Sequence, residues 1–346
     1  MNLNDVIRAI RPVDPLKREE AKMHWNTIAK PLYGMGLLED YISNLVAMDI
    51  HSIRKRCVAV MCADNGIVAE GVTQTGSDVT AIVAQKIAEG KATVTTMAAV
   101  TNADVFPFDV GMLTEQDSVP CYKTTRGTAN FLHECAMTQS QAISAIEAGI
   151  DIAGLLKGKG YSIIASGEMG IGNTTTSSAI TAAIFNLDAH TITGRGAGLS
   201  QAGIYHKADV INNAISFHKP NSQDAIDLLC KVGGFDIAAM CGLFLGGAHY
   251  GIPVIIDGFI SSVAALLAVL LCPTSREYML PSHISNEPAA RLVMERLDLH
   301  PIIDCKMALG EGTGAVALFP LLDMAFAVYH NVPTFQEIEV KEYQPL

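Results

Sequence analysis

Residues 165–180 read ASGEMGIGNTTTSSAI and join an apolar run, typical of a buried strand, to a segment with helical periodicity. The turn between them holds three glycines, the carboxylate of Glu168 and a run of hydroxyl side chains. Backbone N–H groups at such a turn point outward, and the dipole of the following helix favours an anion. We therefore predict a phosphate site at Gly170, Gly172, Asn173, Thr174 and Thr175. A tight turn whose threonines only cap the helix is the alternative.

The rest of the chain alternates short apolar runs with helical periods, a pattern typical of a parallel sheet covered by helices on both faces. Strands are predicted over residues 57–63, 104–110, 162–166, 253–258 and 305–310. Helices are predicted over residues 78–89, 138–156, 174–186, 207–217, 234–246, 260–271, 288–297 and 315–329. The predicted fold class is α/β, a Rossmann-like parallel sheet flanked by helices, with a smaller helical domain.

The amino-terminal region differs from the rest, because it shows helical pieces and no strand pattern. We expect residues 1–50, together with the extreme C-terminus, to form the small helical domain. Residues 51–330 are expected to form the large α/β catalytic domain.

The composition limits the possible classes of function. With 49% hydrophobic and 17% charged residues, the 346-residue chain is typical of a compact globular protein. Its formal net charge of −11 argues against a nucleic-acid partner, which requires clustered Lys and Arg. The most apolar segment, residues 258–272, is shorter than the roughly 20 residues that span a bilayer, so it predicts a buried helix and no membrane contact. The first 14 residues lack a signal-peptide core, so we expect a cytoplasmic protein.

The eight cysteines and ten histidines show no zinc-binding spacing, since no C-x-x-C occurs. No metal site is predicted, and the cysteines are interpreted as core thiols of a reducing compartment. Cys57 and Cys62 lie five residues apart in one predicted strand, so their side chains should face opposite sides of the sheet.

Four predicted strands are followed by an acid close to a glycine, namely Asp64, Glu168, Asp257 and Glu311. The carboxyl ends of strands in an open parallel sheet line the crevice where ligands bind. We therefore expect these acids to converge on one site, with a general base among them. The alternative for each acid is a structural role, satisfied by backbone N–H groups.

Five motifs together resemble the family of nicotinate-nucleotide:dimethylbenzimidazole phosphoribosyltransferases. They are GEMGIGNTTTSSA (167–179), KVGGFD (231–236), DGFISSVAAL (257–266), PSHIS (281–285) and LGEGTGA (309–315). The likeness runs in order from about residue 31 to residue 330. It implies that a lower-ligand base attacks C1′ of nicotinate mononucleotide, nicotinate leaves, and an α-riboside 5′-phosphate continues to cobamide assembly. The reaction needs no metal or cofactor, because the departing pyridinium leaves as a neutral ring.

The resemblance also implies roles for individual residues. Glu311 corresponds to the family's catalytic base, and Glu168 to the acid of its Gly-Glu-x-Gly loop. Lys207 matches a lysine near the phosphate, although by itself it would be interpreted as a solvated helix residue. Ser285 matches a small polar residue at the same place, and Gly310 and Gly312, which flank the base, are expected to bind the nucleotide.

Departures from the family pattern concern the acceptor pocket, which the resemblance places at Asp64, Asn65, Thr75 and Val83. Asn65 stands where the family usually has histidine, Thr75 where it has serine, and Val83 where it has glutamine. Replacing an amide by an isopropyl group removes a partner for a second ring nitrogen. This is similar to a variant branch that activates phenol or p-cresol as a heterodimer of two homologous subunits. A benzimidazole enzyme that tolerates valine is the alternative.

Two questions about the assembly stay open at this point. The chain is expected to act as a homodimer or as a heterodimer with a homologous subunit. A non-catalytic homologous subunit is the rival interpretation, but the retained Glu168, Glu311 and Gly/Thr loop argue against it.

Overall fold

A computed structural model describes residues 1–343. Its five strands form one parallel sheet in the order β2-β1-β3-β4-β5. The strands are β1 (Arg56–Ala63), β2 (Asp104–Gly111), β3 (Ile163–Met169), β4 (Val254–Ile256) and β5 (Met279–Pro281). From β1 the chain passes to β2 on one side and then returns to β3 on the other. This reversal creates the switch point at which open α/β sheets bind ligands.

Helices cover both faces of the sheet. They are α1 (Leu3–Ala9), α2 (Pro15–Thr27), α3 (Leu37–Ala47), α4 (Asp78–Ala88), α5 (Thr93–Val100), α6 (Gln139–Gly158), α7 (Asn173–Phe185), α8 (Ala189–Ile192), α9 (Gln201–His218), α10 (Ala225–Val232), α11 (Phe235–Tyr250), α12 (Phe259–Leu271), α13 (Ala290–Leu297) and α14 (Thr313–Asn331). Two 3₁₀ helices, Gly66–Glu70 and Pro273–Tyr278, complete the described elements. The predicted α/β class is confirmed.

Every residue of β1 is buried, and its side chains alternate between two apolar clusters. Cys57 and Met61 belong to the cluster on one face, whereas Val58 and Cys62 belong to the cluster on the other. Cys57 and Cys62 therefore face opposite sides of the sheet, as the spacing predicted.

Two amino-terminal helices, α2 and α3, share the second of these clusters, whereas α1 packs in the first through Leu3 and Val6. Trp25 of α2 and Ile42 of α3 pack there with Phe319 of α14 and with β1. The carboxyl-terminal segment pairs with the end of α2, since the Phe335 N–H donates to the Thr27 carbonyl at 2.9 Å. A separate helical domain over residues 1–50 and the C-terminus stays a prediction, and residues 344–346 lie outside the described range.

Four predicted strands are confirmed, but the strand predicted over residues 305–310 is wrong. That segment is an extended loop, in which Lys306 has a positive φ of 56°. The fifth strand is β5, whose three residues pair with β4; its sequence MLP ends in proline and lacks the β-branched run of the equally short β4. The eight-residue helix α5 was also missed, because its sequence TVTTMAAV is rich in β-branched residues that favour strands.

Within residues 1–343, α14 is the one helix long and apolar enough, by length and composition, to cross a bilayer. Just over half of its most apolar window, 56%, is buried inside the protein. Asp323 on this helix pairs with the buried Arg56 of β1 at 2.8 Å. The predicted apolar helix 258–272 is the shorter, buried α12.

Close contact between α6 and α11 generates a stability prediction. A Cβ atom at Gly149 would lie 1.9 Å from the Ala239 carbonyl oxygen, so Gly149→Ala must push the two helices apart. We expect a loss of about 1–3 kcal/mol in the free energy of unfolding, measured by urea denaturation. Gly158→Ala on the same helix is the control, because its Cβ meets nothing within 4 Å. Equal stability of the two variants would contradict the packing.

Candidate active site

A cavity of about 290 Å³ opens at the carboxyl ends of β3 and β4. Three of the four predicted acids border it, namely Glu168, Asp257 and Glu311. The fourth, Asp64, does not. Its Oδ2 accepts from the Leu113 N–H at 2.7 Å, because the carboxylate turns toward the segment that follows β2. The expected convergence at one site therefore holds for three acids.

The Gly/Thr loop forms one wall of the cavity. Gly170, Asn173 and Thr174 border the cavity, whereas Gly172 and the fully buried Thr175 lie behind it. Gly172 has a φ of 92° and precedes the first turn of α7, where the Thr175 N–H donates to its carbonyl at 2.9 Å. The strand-to-helix turn is thus confirmed, and its role in phosphate binding stays a prediction.

Lys207 of α9 is only 1% exposed, although its sequence context predicts a solvated side chain. Its ammonium donates to Thr174 Oγ1 at 2.8 Å, directly behind the cavity wall. Burial lowers the pKa of Lys207 to about 8, and the nearby carboxylate of Glu287 opposes this shift. A buried cation with so little compensation favours the arrival of an anion.

Glu287 borders the same cavity and was not predicted. Its Oε1 accepts from the Gly196 N–H at 3.1 Å, while its buried Oε2 has no hydrogen-bond partner among residues 1–343. A Cβ atom at Gly194 would lie 1.9 Å from Oε2, so a larger residue there would displace the Glu287 carboxylate. Glu287 therefore connects the loop before α9, through Gly196, to the part of the cavity wall that contains Ser285. Its position two residues after the PSHIS motif was the available signal.

The carboxylate of Glu168 is buried and shares a donor with a second acid. Asn173 Nδ2 donates both to Glu168 Oε2 and, at 3.1 Å, to Asp236 Oδ2. Burial and the neighbouring Asp236 raise the pKa of Glu168 to about 8. Burial also raises the pKa of Asp236 to about 7. Glu168 therefore holds a proton at neutral pH. Asp236, in the KVGGFD motif, was missed as a site residue.

Asp257 fixes the start of α14. Its carboxylate accepts from the Gly312 N–H at 3.3 Å and from the Ala315 N–H at 2.9 Å, and burial raises its pKa to about 7. The preceding turn is left-handed at three consecutive residues, with φ of 84° at Gly310, 60° at Glu311 and 91° at Gly312. This backbone projects the Glu311 side chain into the cavity, while Gly312 lies beneath the wall.

Glu311 has the environment expected of a base. Its Oε2 accepts from the Val94 N–H at 3.1 Å. Burial raises the pKa of Glu311, and this hydrogen bond opposes the shift. A carboxylate with a raised pKa is better matched to a proton-abstracting role at neutral pH.

The comparisons with known proteins agree with this geometry. A family profile described as phosphoribosyltransferase matches residues 10–340. The chain is 41% identical to the nicotinate-nucleotide–dimethylbenzimidazole phosphoribosyltransferase of Ruminiclostridium cellulolyticum and 39% identical to that of Clostridium acetobutylicum, each over the full length of both chains. The crystal structure of CobT from Thermus thermophilus superimposes with a TM-score of 0.89 at 34% identity, covering 94% of this chain and 99% of the other.

The chain belongs to the nicotinate-nucleotide–dimethylbenzimidazole phosphoribosyltransferase family. The resemblance drawn from the five motifs is thereby confirmed. The protein is a phosphoribosyltransferase, which is a pentosyltransferase enzyme.

The expected acceptor residues occupy different places. Val83 of α4 borders the cavity. Asn65 lies beneath the Gly/Thr loop and donates to the Ile171 carbonyl at 3.3 Å. Thr75 is exposed on the loop before α4 and lies outside the cavity wall. Of the four, Val83 alone is positioned to contact a ligand directly, and Asn65 supports the loop. Their roles toward an acceptor stay predictions.

The buried acids generate a prediction about pH. Between pH of about 4 and 7 the Asp236 carboxyl ionises in the unfolded chain but stays protonated in the folded protein. The free energy of unfolding contributed by this group therefore falls as the pH rises. Asp236→Asn removes this titrating group. We therefore expect the melting temperature of the variant, relative to that of the wild type, to rise as the pH increases from 5 to 8. Scanning fluorimetry measures both curves.

Asp117→Asn serves as the control, since Asp117 is exposed on a loop. Its curve should run parallel to that of the wild type. A parallel curve for Asp236→Asn as well would contradict the burial of a titrating carboxyl at this position.

Proposed function

We propose that the enzyme transfers ribose 5-phosphate from nicotinate mononucleotide to an aromatic lower-ligand acceptor. The product is an α-riboside 5′-phosphate for cobamide biosynthesis. The observation that carries this proposal is one cavity with a buried ammonium behind one wall and a base-like carboxylate on another. Lys207 contacts the wall through Thr174, and Glu311 borders the same space.

The donor phosphate fits the wall beside Lys207. A phosphate there would receive a charge-assisted contact from the ammonium, together with donors from the Gly/Thr loop and Ser285. The uncompensated burial of Lys207 supports this placement, because a bound anion restores the interactions that the ammonium lost on leaving water.

The chemical step requires a base and no acid for the leaving group. The acceptor atom forms a bond to C1′ as the bond from C1′ to the pyridinium nitrogen breaks. The departing ring keeps that electron pair and becomes a neutral pyridine. The proton of the acceptor passes to Glu311, whose Oε1 has no hydrogen-bond partner among residues 1–343. The proposed step consumes no metal or cofactor.

The acceptor proposal rests on Val83. An isopropyl group in the cavity wall offers no hydrogen bond to a second ring nitrogen, so we extend the proposal from benzimidazoles to phenol and p-cresol. A phenolic hydroxyl has a pKa near 10. The raised pKa of Glu311 narrows the gap to that value. The curated relatives carry dimethylbenzimidazole in their names, so that base is the reference acceptor.

A non-catalytic partner subunit remains the second candidate, and one observation opposes it. A subunit without catalysis has no need for Glu168, Asp257 and Glu311 around one cavity, since burying carboxyls is unfavourable. A homodimer, or a heterodimer with a homologous subunit, is part of the proposal, as is a cytoplasmic location.

Glu311→Gln tests the proposed function. The amide oxygen can still accept from the Val94 N–H, so the fold of the loop should persist while the base is lost. We expect turnover to fall by about 10²-fold or more, with nicotinate mononucleotide binding retained. Product formation is followed by chromatography, and binding by calorimetry. Near-normal turnover would remove Glu311 from the mechanism.

Lys207→Ala is the complementary comparison for the same experiment. It should weaken nicotinate mononucleotide more than the free acceptor, because it removes a contact to the phosphate. Equal weakening of both ligands would contradict the placement. A wild-type chain that is inactive alone but active with a homologous subunit would support the heterodimer, and full activity of Glu311→Gln in that mixture would support the non-catalytic interpretation.

Val83→Gln tests the acceptor proposal. In competition between p-cresol and dimethylbenzimidazole, the new amide should shift preference toward the benzimidazole by roughly tenfold, since one buried hydrogen bond is restored. Ile82→Gln is the matched control on the same helix, because Ile82 is 49% exposed. Exclusive use of benzimidazoles by the wild type, with no change in Val83→Gln, would refute the phenolic acceptor.

A further inference from the structure

Helix α5 meets the carboxylate of Glu311 at its amino terminus. Val94 is the second residue of the helix, and its N–H is one of the first four, which have no partner within a helix. This N–H donates to Glu311 Oε2 at 3.1 Å across a separation of 217 residues. This hydrogen bond therefore brings a backbone donor of α5 to the carboxylate of the proposed base.

We infer that the Val94 N–H is a positioning group for the base, which holds Oε2 and thereby leaves Oε1 as the oxygen that faces the acceptor. The inference rests on the proposed function, in which Glu311 accepts the proton. A carboxylate on a side chain with free rotation would present either oxygen, at variable distance, whereas a tethered one keeps a single orientation.

Both ends of this hydrogen bond are held in place. Thr95 Oγ1 accepts from the Ala92 N–H at 2.9 Å and donates to the Ala92 carbonyl at 2.8 Å, which closes the first turn of α5. The Val94 side chain is fully buried in the cluster that includes Ala315 and Val316 of α14. Helix α5 therefore packs against the helix that begins two residues after Glu311.

The same bond influences ionisation, because a donor to a carboxylate favours its charged form. Burial raises the pKa of Glu311, and the Val94 N–H opposes that shift. The other titratable groups around the cavity are Glu168, Asp257, His283 and Glu287. Glu168 contacts the backbone N–H of Glu311, and among residues 1–343 none of the four is hydrogen-bonded to its side chain.

A proline scan at the first turn of α5 separates the N–H from the helix itself. Val94→Pro removes the donor within the first turn, where the replaced N–H has no partner inside the helix. We expect the acidic limb of the kcat profile to move up by about one pH unit, so that kcat falls roughly tenfold at pH values well below the midpoint of that limb, with little change in KM for nicotinate mononucleotide. Thr93→Pro is the matched control. It keeps the Val94 N–H, and Ala92 before it is already extended, with ψ of 169°.

Thr95→Ala provides a second variant in case Val94→Pro does not fold. It loosens the first turn and keeps every backbone N–H, so we expect a smaller shift in the same direction. A kcat profile for Val94→Pro that superimposes on that of the wild type would overturn the inference. If Val94→Pro does not fold, an unshifted kcat profile for Thr95→Ala would overturn it. A shift of equal size in Thr93→Pro would also overturn it. A wild-type chain without activity on any acceptor refutes the proposed function instead.

Discussion

The carboxylate of Asp257 connects the end of β4 to the start of α14, and the geometry of the cavity depends on this connection. Its two hydrogen bonds, to the N–H groups of Gly312 and Ala315, satisfy donors that a helix leaves open at its amino end. They also fix where the left-handed turn at Glu311 begins. Moving α14 along its axis would carry the Glu311 carboxylate away from the Gly/Thr loop, so one side chain fixes the position of the Glu311 turn relative to the sheet.

The arrangement has an energetic cost that the surroundings offset only in part. Glu168, Asp236 and Asp257 are all removed from water, and burial raises the pKa of each. Asn173 bridges the first two, while backbone N–H groups satisfy the third. Holding protons on these groups avoids burying several negative charges together. These three buried acids therefore carry less negative charge near neutral pH than exposed carboxyls would.

Much of the fold and part of the site were predictable from the sequence. Strand patterns with an acid at the end placed Glu168 and Asp257 at one edge, because parallel strands share a direction. The three-residue β5 was missed because its sequence MLP lacks the β-branched run that marks the equally short β4, and α5 was missed because its β-branched residues favour strands locally. Because α5 was missed, the contact between Val94 and Glu311, which lie 217 residues apart in sequence, was missed as well. No local pattern encodes such a pair.

Lys207 shows how burial couples a ligand to protons. With its pKa lowered to about 8, the side chain is partly neutral in mildly alkaline solution. An anion bound beside the ammonium would stabilise the charged form, so above that pH its binding would draw up to one proton from the buffer. The heat released on binding then includes the ionisation enthalpy of the buffer. Calorimetric titrations of the same ligand at alkaline pH, in two phosphate-free buffers of different ionisation enthalpy, would differ in proportion to that uptake.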